Sequence, residues 1–375
     1  MQKKVIAAVI GGLLIAPAAF ADVTISGRLS AGLESSKLSD GTRAYNNELR
    51  MSDQSSSVIF KGSEDLGGGL SAWFQIDNRF DFTNGQNQPA GVPTATFAPT
   101  GNTQIGLKGG FGTLAIGRTD IFYNEMFRYD AGRSGSLQTW VTGAVFSQVN
   151  GSPVAATTRW PNIIKWDNSL GGGLSATVFF STSGAQTAGP FVPEEGSGVG
   201  TPNPGKGQAF SGILRYQGGP LSVGGGFFKA SPEDGNAADT GEQSATRVWA
   251  GYSFGMISVA LGFDKSEIKP TGERTAIALP VKITSGNDTF MLKYAMADDR
   301  DATGGGTVAS SGAKMFGVGW DHALGKRTVI GVHYTSLDND AAAAYQFFAR
   351  GASGTTLAAA GEDATQLYLG IAHFY

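Results

Sequence analysis

Residues 257–264 read Ile257-Ser258-Val259-Ala260-Leu261-Gly262-Phe263-Asp264. Odd positions are apolar and even ones small or polar, the two-residue period of a strand whose faces meet unlike surroundings. Phe290, Leu292, Tyr294 and Met296 repeat the pattern against Lys293, and Phe316, Val318, Trp320, then Ile330, Val332, Tyr334 carry it on. Helical periodicity is weak. Working outward, the alternation predicts sixteen strands, near 23–33, 55–64, 70–80, 102–108, 112–118, 159–167, 174–181, 207–217, 221–229, 244–254, 257–266, 275–285, 288–297, 313–322, 327–337 and 364–375.

The connections discriminate more sharply than the strands. Short turns such as Leu66-Gly67-Gly68-Gly69, Gly171-Gly172-Gly173, Gly218-Gly219-Pro220 and Ser285-Gly286-Asn287 alternate with long polar stretches around 34–54, 81–101, 119–158, 182–206, 230–243, 266–274, 298–312 and 338–363. This is an even-stranded antiparallel meander with turns at one end and loops at the other. A soluble β-sandwich also alternates, but its connections do not sort in this way and its strands are commonly about five or six residues, against about 9–11 for a strand crossing lipid. In hydrocarbon an unpaired backbone group costs several kcal/mol, so the sheet must close, and an even count lets first and last strands pair. The fold class is therefore all-β, a transmembrane 16-stranded up-and-down β-barrel. Arg28, Lys61, Asp77, Arg79, Lys165, Asp167, Arg215, Arg247, Asp264 and Lys293 sit on the faces opposite the apolar ones, and at about 2–4 kcal/mol for a lipid-facing Arg or Lys they are expected to line water.

The chain opens with Met1-Gln2-Lys3-Lys4, an apolar run from Val5 to Phe20 broken by Gly11, Gly12 and Pro17, and the triplet Ala19-Phe20-Ala21. That pattern predicts a secretory signal peptide over residues 1–21, cleaved after Ala21, and a single barrel domain over 22–375. Removing 21 of 375 residues leaves 354, and losing Lys3 and Lys4 takes the net charge from −3 to −5. A mildly acidic chain without a basic stripe does not suit nucleic acid. No later run of about 18 apolar residues could cross as a helix. Cysteine is absent, excluding disulfides and thiolate metal sites.

Particular strings, across essentially the whole mature chain, resemble the Gram-negative general porin family, in its neisserial-type, β-proteobacterial branch. Phe60-Lys61-Gly62-Ser63-Glu64-Asp65-Leu66-Gly67-Gly68-Gly69-Leu70-Ser71-Ala72 resembles the family's second strand, first tight turn and third strand. Asp22-Val23-Thr24-Ile25-Ser26-Gly27 is similar to its first strand, Gly112-Thr113-Leu114-Ala115-Ile116-Gly117-Arg118 to its fifth, and Arg159 with Asn162-Ile163-Ile164 to the start of its sixth. Leu367, Leu369, Ile371, His373 and Tyr375 alternate as the family's C-terminal assembly signal does, with Tyr375 in place of the usual Phe. The resemblance implies an outer-membrane homotrimer among lipid and lipopolysaccharide, an assembly signal in Leu369, Ile371, His373 and Tyr375 read by the barrel assembly machinery, passage of small hydrophilic solutes, no cofactor, and a third loop (about 119–158) folded inward to narrow each pore.

A loop of about 40 residues without evident secondary structure is unusual unless functional, and this one carries Asp120, Glu125, Arg128, Asp130 and Arg133. With Asp77, Arg79 and Arg159 on the wall they form the expected constriction. Ser57 and Gly101-Asn102 stand where the family commonly has basic residues, so weak selectivity with a slight lean to anions is expected. Arg118 shares parity with Leu114 and Ile116 and reaches the lumen only if the strand ends or bulges before it. A substrate-specific channel is the alternative, hinted at by inward Trp73 and Trp249; a structural or adhesive barrel closed by its loops is another. Catalysis lacks a G-x-S-x-G elbow or a phosphate-cradling loop, and His322, His333 and His373 lie apart, without metal-ligand spacing.

Overall fold

The computed structural model describes residues 22–39, 47–83, 86–87, 101–121, 126–134, 139–154, 159–182, 207–232, 242–269, 271–347 and 359–375. The leader at 1–21 and Glu125 lie outside them. Sixteen antiparallel strands form one closed sheet. In chain order they are β1 (Asp22–Leu38), β2 in two segments (Asn47–Asp53 and Ser56–Gly67), β3 (Leu70–Asp81), β4 (Thr103–Gly109), β5 (Gly112–Asp120), β6 (Arg159–Gly171), β7 (Leu174–Ser181), β8 (Gly207–Gly218), β9 (Leu221–Pro232), β10 (Gln243–Phe254), β11 (Ile257–Ile268), β12 (Gly272–Ser285), β13 (Asp288–Ala297), β14 (Ala313–Ala323), β15 (Thr328–Asn339) and β16 (Ala364–Phe374).

Closure is made by β16 on β1, in register from Arg28↔Phe374 to Leu38↔Ala364. The last residue extends the seam: Gly27 N donates to Tyr375 O and Tyr375 N to Gly27 O, both at 3.1 Å. Tyr375 Oη donates to Ser57 O at 3.0 Å, so its ring lies across Gly27, where a side chain would meet it. Outward positions stay apolar and exposed, as Leu367, Leu369 and Ile371 show, each about half exposed. Such a belt faces hydrocarbon.

Three expectations need correction. The stretch 34–54 is largely strand, because β1 runs on to Leu38 and the first segment of β2 pairs with it from Ala31↔Asp53 to Lys37↔Asn47. The stretch expected as a loop at 266–274 is mostly strand, since the β11–β12 ladder continues to Ile268↔Gly272. The third loop is not structureless: it holds α1 (Phe127–Asp130), α2 (Val141–Phe146) and a two-rung ribbon pairing Gln148–Val149 with Ser152–Pro153.

That loop runs inside the barrel. The Val-Thr-Gly-Ala-Val-Phe sequence of α2 is buried all round, so packing and not propensity holds so short a helix. Trp140, Val141, Val145 and Phe146 join wall residues Trp160, Phe179, Phe228 and Trp249 in one dry cluster. The lumen is thereby split. Against β7–β14, with Trp160 and Ile163 of β6, it is a packed core; against the rest of β1–β6 the inward faces are largely polar.

Candidate functional site

On the polar side the strongest group of charges spans β3 to β6. Asp77, on β3, is buried beside Arg79, its Oδ2 3.2 Å from Arg79 Nη2, and accepts from Asn102 N at 3.2 Å. Asp120, the last residue of β5, lies 3.7 Å from Arg159 Nε and accepts from Asn102 Nδ2 at 2.7 Å. Four of the expected site residues, Asp77, Arg79, Asp120 and Arg159, therefore meet, with Asn102 linking both carboxylates.

Arg118 joins them through a bulge. The β5–β6 register shifts between Trp160 and Ile163, with Gly117 at φ +140° and Asn162 at φ +54°. The extra residue lies on β6, where Pro161 and Asn162 together oppose Arg118. Beside the positive φ of Gly117, the Arg118 side chain is largely shielded from water where Arg79, Arg159 and Asp120 exert their charge on it. A Cβ at Gly117 would collide with Thr103 O.

A second irregularity was not anticipated. Between the segments of β2 the chain breaks at Gln54-Ser55, with Ser55 at φ +71°. Ser55 O accepts from Arg28 Nε at 2.9 Å, and Ser55 Oγ accepts from Arg79 Nη1. Asp53 Oδ1 accepts from Ser56 N at 2.9 Å and stabilises the break. The polar run Asp53-Gln54-Ser55-Ser56-Ser57, rich in turn formers, is the signal that could have found it. Ser57 pairs with Arg28 on one side and Arg79 on the other, so the missing basic residue leaves a gap between two arginines.

Opposite, wall charges dock the loop. Arg247 and Arg274 flank the fully buried Asp264, at 2.8 Å (Nη2–Oδ2) and 2.5 Å (Nη1–Oδ1). Arg274 donates to Val145 O and Gln148 O, each at 3.0 Å, and Arg247 Nη2 to Phe146 O at 3.3 Å. These are carbonyls at the end of α2, where cations complement the helix dipole. At its start Trp140 supplies no side-chain cap, and Asp130 Oδ2 instead accepts from Thr142 N at 2.6 Å while Oδ1 lies 3.8 Å from Lys293 Nζ. Burial pushes the Asp130 carboxyl above its ordinary value, against the pull of Lys293 and Thr142. Arg247, Asp264 and Lys293 thus do not line water as expected, and neither does Asp130, because the loop covers them. Trp249 lies in the same dry core and makes no track with Trp73 on β3.

Arg128 and Arg133 also depart from the expected place. Arg128 Nη1 donates to Gln217 Oε1 at 2.9 Å and Arg133 Nη2 to Lys326 O at 3.4 Å, both at the turn end of the barrel. Beside them Ser134 Oγ and Asp321 Oδ1 lie 3.0 and 2.9 Å from the same atom, His333 Nε2, while Nδ1 lacks a hydrogen bond. A Ser-His-acid relay needs its partners on different ring nitrogens. This set is a latch: Tyr368 Oη and Ser30 Oγ both donate to Ser134 O.

A family model described as Gram-negative porin matches residues 5–343. The chain belongs to the Gram-negative porin family. It is a porin of the outer membrane, with the short turns on the periplasmic side. The major outer membrane protein P.IB of Neisseria meningitidis serogroup B, strain H44/76, is 25% identical over 319 residues, 80% of this chain and 85% of that one. That of Neisseria lactamica is 26% identical over 313 residues, 79% and 82% respectively. Among solved structures, the anion-selective porin from Comamonas acidovorans superposes with a TM-score of 0.71 at 22% identity, over 95% of this porin and all of the other. OmpT, an outer membrane protein of Vibrio cholerae solved in a trimer form, gives 0.60 at 12% identity, over 95% of this chain and 99% of that one.

Proposed function

We propose that the porin is a general diffusion channel for ions and small hydrophilic solutes, weakly selective with a slight lean to anions, and that its narrow part lies between the third loop and the β3–β6 wall. The observation that carries this is the group of Arg79, Arg118 and Arg159 against Asp77 and Asp120. Three guanidinium charges face two carboxylates, so the group carries one excess positive charge. Asp77 and Arg159 are buried and Arg118 is largely shielded, while Arg79 and Asp120 keep the exposure through which lumen charges tune selectivity. The excess is small, which keeps both ion signs permeant. Cleavage after Ala21, assembly through Leu369, Ile371, His373 and Tyr375, and a homotrimer in lipid and lipopolysaccharide belong to the same reading. Catalysis plays no part in it.

Reversal potentials across a planar bilayer under a tenfold KCl gradient test it. The expected value is a few millivolts of the anion sign, reversed by Arg79→Glu. Near-ideal selectivity of either sign refutes the proposal.

One observation favours a quieter, structural barrel. Residues 344–346 lie along the outgoing limb of the third loop: Gln148 Nε2 donates to Gln346 O at 2.8 Å, Gln346 N to Gln148 Oε1 at 3.1 Å and Ala344 N to Asn150 Oδ1 at 2.8 Å. This strap narrows the extracellular entrance. Liposomes that fail to swell in any small sugar would establish that reading.

A further inference from the structure

The tip of the third loop reaches deep into the barrel. Lys282 Nζ donates to Arg128 O at 2.6 Å and Ala131 O at 3.0 Å, and Lys282 stands three residues before the end of β12. Three strand residues at about 3.3 Å each, tilted by about 40°, place it about 8 Å above the periplasmic turns. Arg128 and Arg133 extend further. Gln217, which receives Arg128, itself donates to Gly219 O of the β8–β9 turn at 3.2 Å. The Arg133 guanidinium lies 5.4 Å from the Phe374 ring centroid and donates to Lys326 O of the β14–β15 turn, which also carries the exposed Arg327.

The cations gathered here are Arg128, Arg133, Lys282, Lys326 and Arg327. The first three donate to carbonyl and amide oxygens, and among the described residues no salt bridge joins any of the five to a carboxylate. Asp130 and Asp321, the carboxylates whose charge reaches Lys282, are already engaged. Asp130 serves Thr142 N and Lys293; Asp321 serves His333 and the backbone N–H groups of Arg133 and Ser134. Elsewhere in the lumen Asp77, Asp120 and Asp264 each pair with at least one arginine.

We infer that the loop tip and the β14–β15 turn form an anion-binding station at the periplasmic exit, separate from the narrowing, that takes multivalent oxyanions. The inference rests on the pore reading above. Guanidinium forks suit phosphate and carboxylate oxygens. Uncompensated charges within a Debye length of about 8–10 Å reinforce one another on an ion passing between them. Arg128 and Arg133 belong to a loop that crosses from the far side of the wall, so the station faces the periplasm and the channel is electrically asymmetric.

The test uses the full-length protein inserted in one orientation in a planar bilayer. A single Gly255→Cys in a periplasmic turn of this cysteine-free chain reports orientation with an impermeant thiol reagent. Inorganic tripolyphosphate is added to one side at a time. Block from the turn side at a concentration at least tenfold lower than from the loop side is expected. Arg128→Glu with Arg133→Glu should bring the two within twofold, and Lys326→Glu, which leaves the loop untouched, should narrow the difference at least threefold. Arg79→Glu should shift the reversal potential and leave the asymmetry in place. Equal block from both sides, or asymmetry surviving Lys326→Glu and the double variant, overturns the station while the pore stands. A wild-type protein that never conducts overturns the pore reading instead, and the station with it.

Discussion

Replacing Arg274 by Met should release the third loop. Arg274 is fully buried; it pairs with Asp264 at 2.5 Å and donates to Gln148 O and Val145 O at 3.0 Å. Methionine occupies similar space but leaves both carbonyls without that donor and Asp264 facing Arg247 alone. Removing one member of a buried charged cluster costs about 3–5 kcal/mol, chiefly because the remaining charge is stranded. Here the penalty falls on docking rather than on the barrel. The strands close independently of α2, so the chain can let the loop go and rehydrate Asp264. At about 1.4 kcal/mol per tenfold, the undocked population should rise by roughly 10²- to 10⁴-fold.

The assay is limited trypsin digestion of the detergent-folded protein, with cleavage after Arg128 and Arg133 followed by mass spectrometry. A docked segment is cut only when it opens, so the rate follows the open population. Single channels should become larger and noisier in parallel. The triple variant Arg247→Met, Asp264→Leu, Arg274→Met removes every buried charge of the cluster and should regain part of the protection, since a matched apolar replacement of a buried triad is often neutral or better. Equal cleavage rates in wild type and Arg274→Met, with the barrel still folded in both, would refute the docking argument.

Three further outcomes are expected. Gly117→Val forces a branched side chain into a φ of +140° against Thr103 O; strain of about 1–3 kcal/mol should displace the β5 backbone beside Arg118, draw its guanidinium away from Arg79, Arg159 and Asp120, and move the reversal potential towards cations. Ile116→Arg, on the exposed outward face of the same strand, should lower stability by about 2–4 kcal/mol in urea unfolding from lipid vesicles. Asp130 bears on pH. Its folded value is raised above 3.8, so the folded chain keeps a proton that the unfolded chain loses, and this contribution is full below 3.8 and fades as pH climbs through the raised value. Acidification to pH 4 should therefore not speed trypsin cleavage at the loop tip, and Asp130→Asn should flatten what dependence there is; acid-triggered release would contradict the assignment.

The barrel was legible because each strand carries its own label: alternation in Ile257–Asp264 sets both the period and the outward face, and glycine clusters mark the turns. Charge position was legible less often. Inward parity points Arg79 and Arg159 to the side where both act on Asp77, yet the same parity put Arg247, Asp264 and Lys293 in water, because alternation tells which side of the sheet a residue faces and says nothing of what fills that side. Arg118 is the instructive case. On a regular strand its parity points to lipid, and its place beside Arg79 and Arg159 depends on the positive φ of Gly117 and on the extra residue that Pro161-Asn162 sets opposite it on β6, neither of which a glycine before an arginine reveals. Asp130 was assigned to the narrowing by its charge alone; that it caps a helix six residues long depends on a fold-back no local pattern encodes.

The seat of the loop is nonetheless written along the inward positions, taken several strands at a time. On β10 to β14 they include Ala245, Gly251, Ala260, Gly262, Ala276, Ala278, Ala295, Ala297, Ala313 and Gly317, against few large side chains. A water-filled lumen has no use for a flat wall of alanine and glycine: short side chains leave room, and in a close-packed interior that room must be filled. Phe146 and Met126 fill it at Gly262, Val141 at Gly317 and Tyr129 at Gly251. The charges embedded in that wall, Arg247, Asp264, Arg274 and Lys293, then read as anchors for loop carbonyls and not as pore lining. On β1 to β6 the inward row instead carries Arg28, Lys61, Asp77, Arg79, Asp120, Arg159 and Lys165, large and charged; Asp77 and Arg159 are buried among their own partners, while Arg28, Lys61, Arg79, Asp120 and Lys165 keep some exposure, which covering by a dry loop would remove at a cost. Side-chain size on one half of the wall and charge on the other therefore decide together where the loop lies, and the ion path proposed above runs past the charges that keep exposure, Arg79 and Asp120 among them.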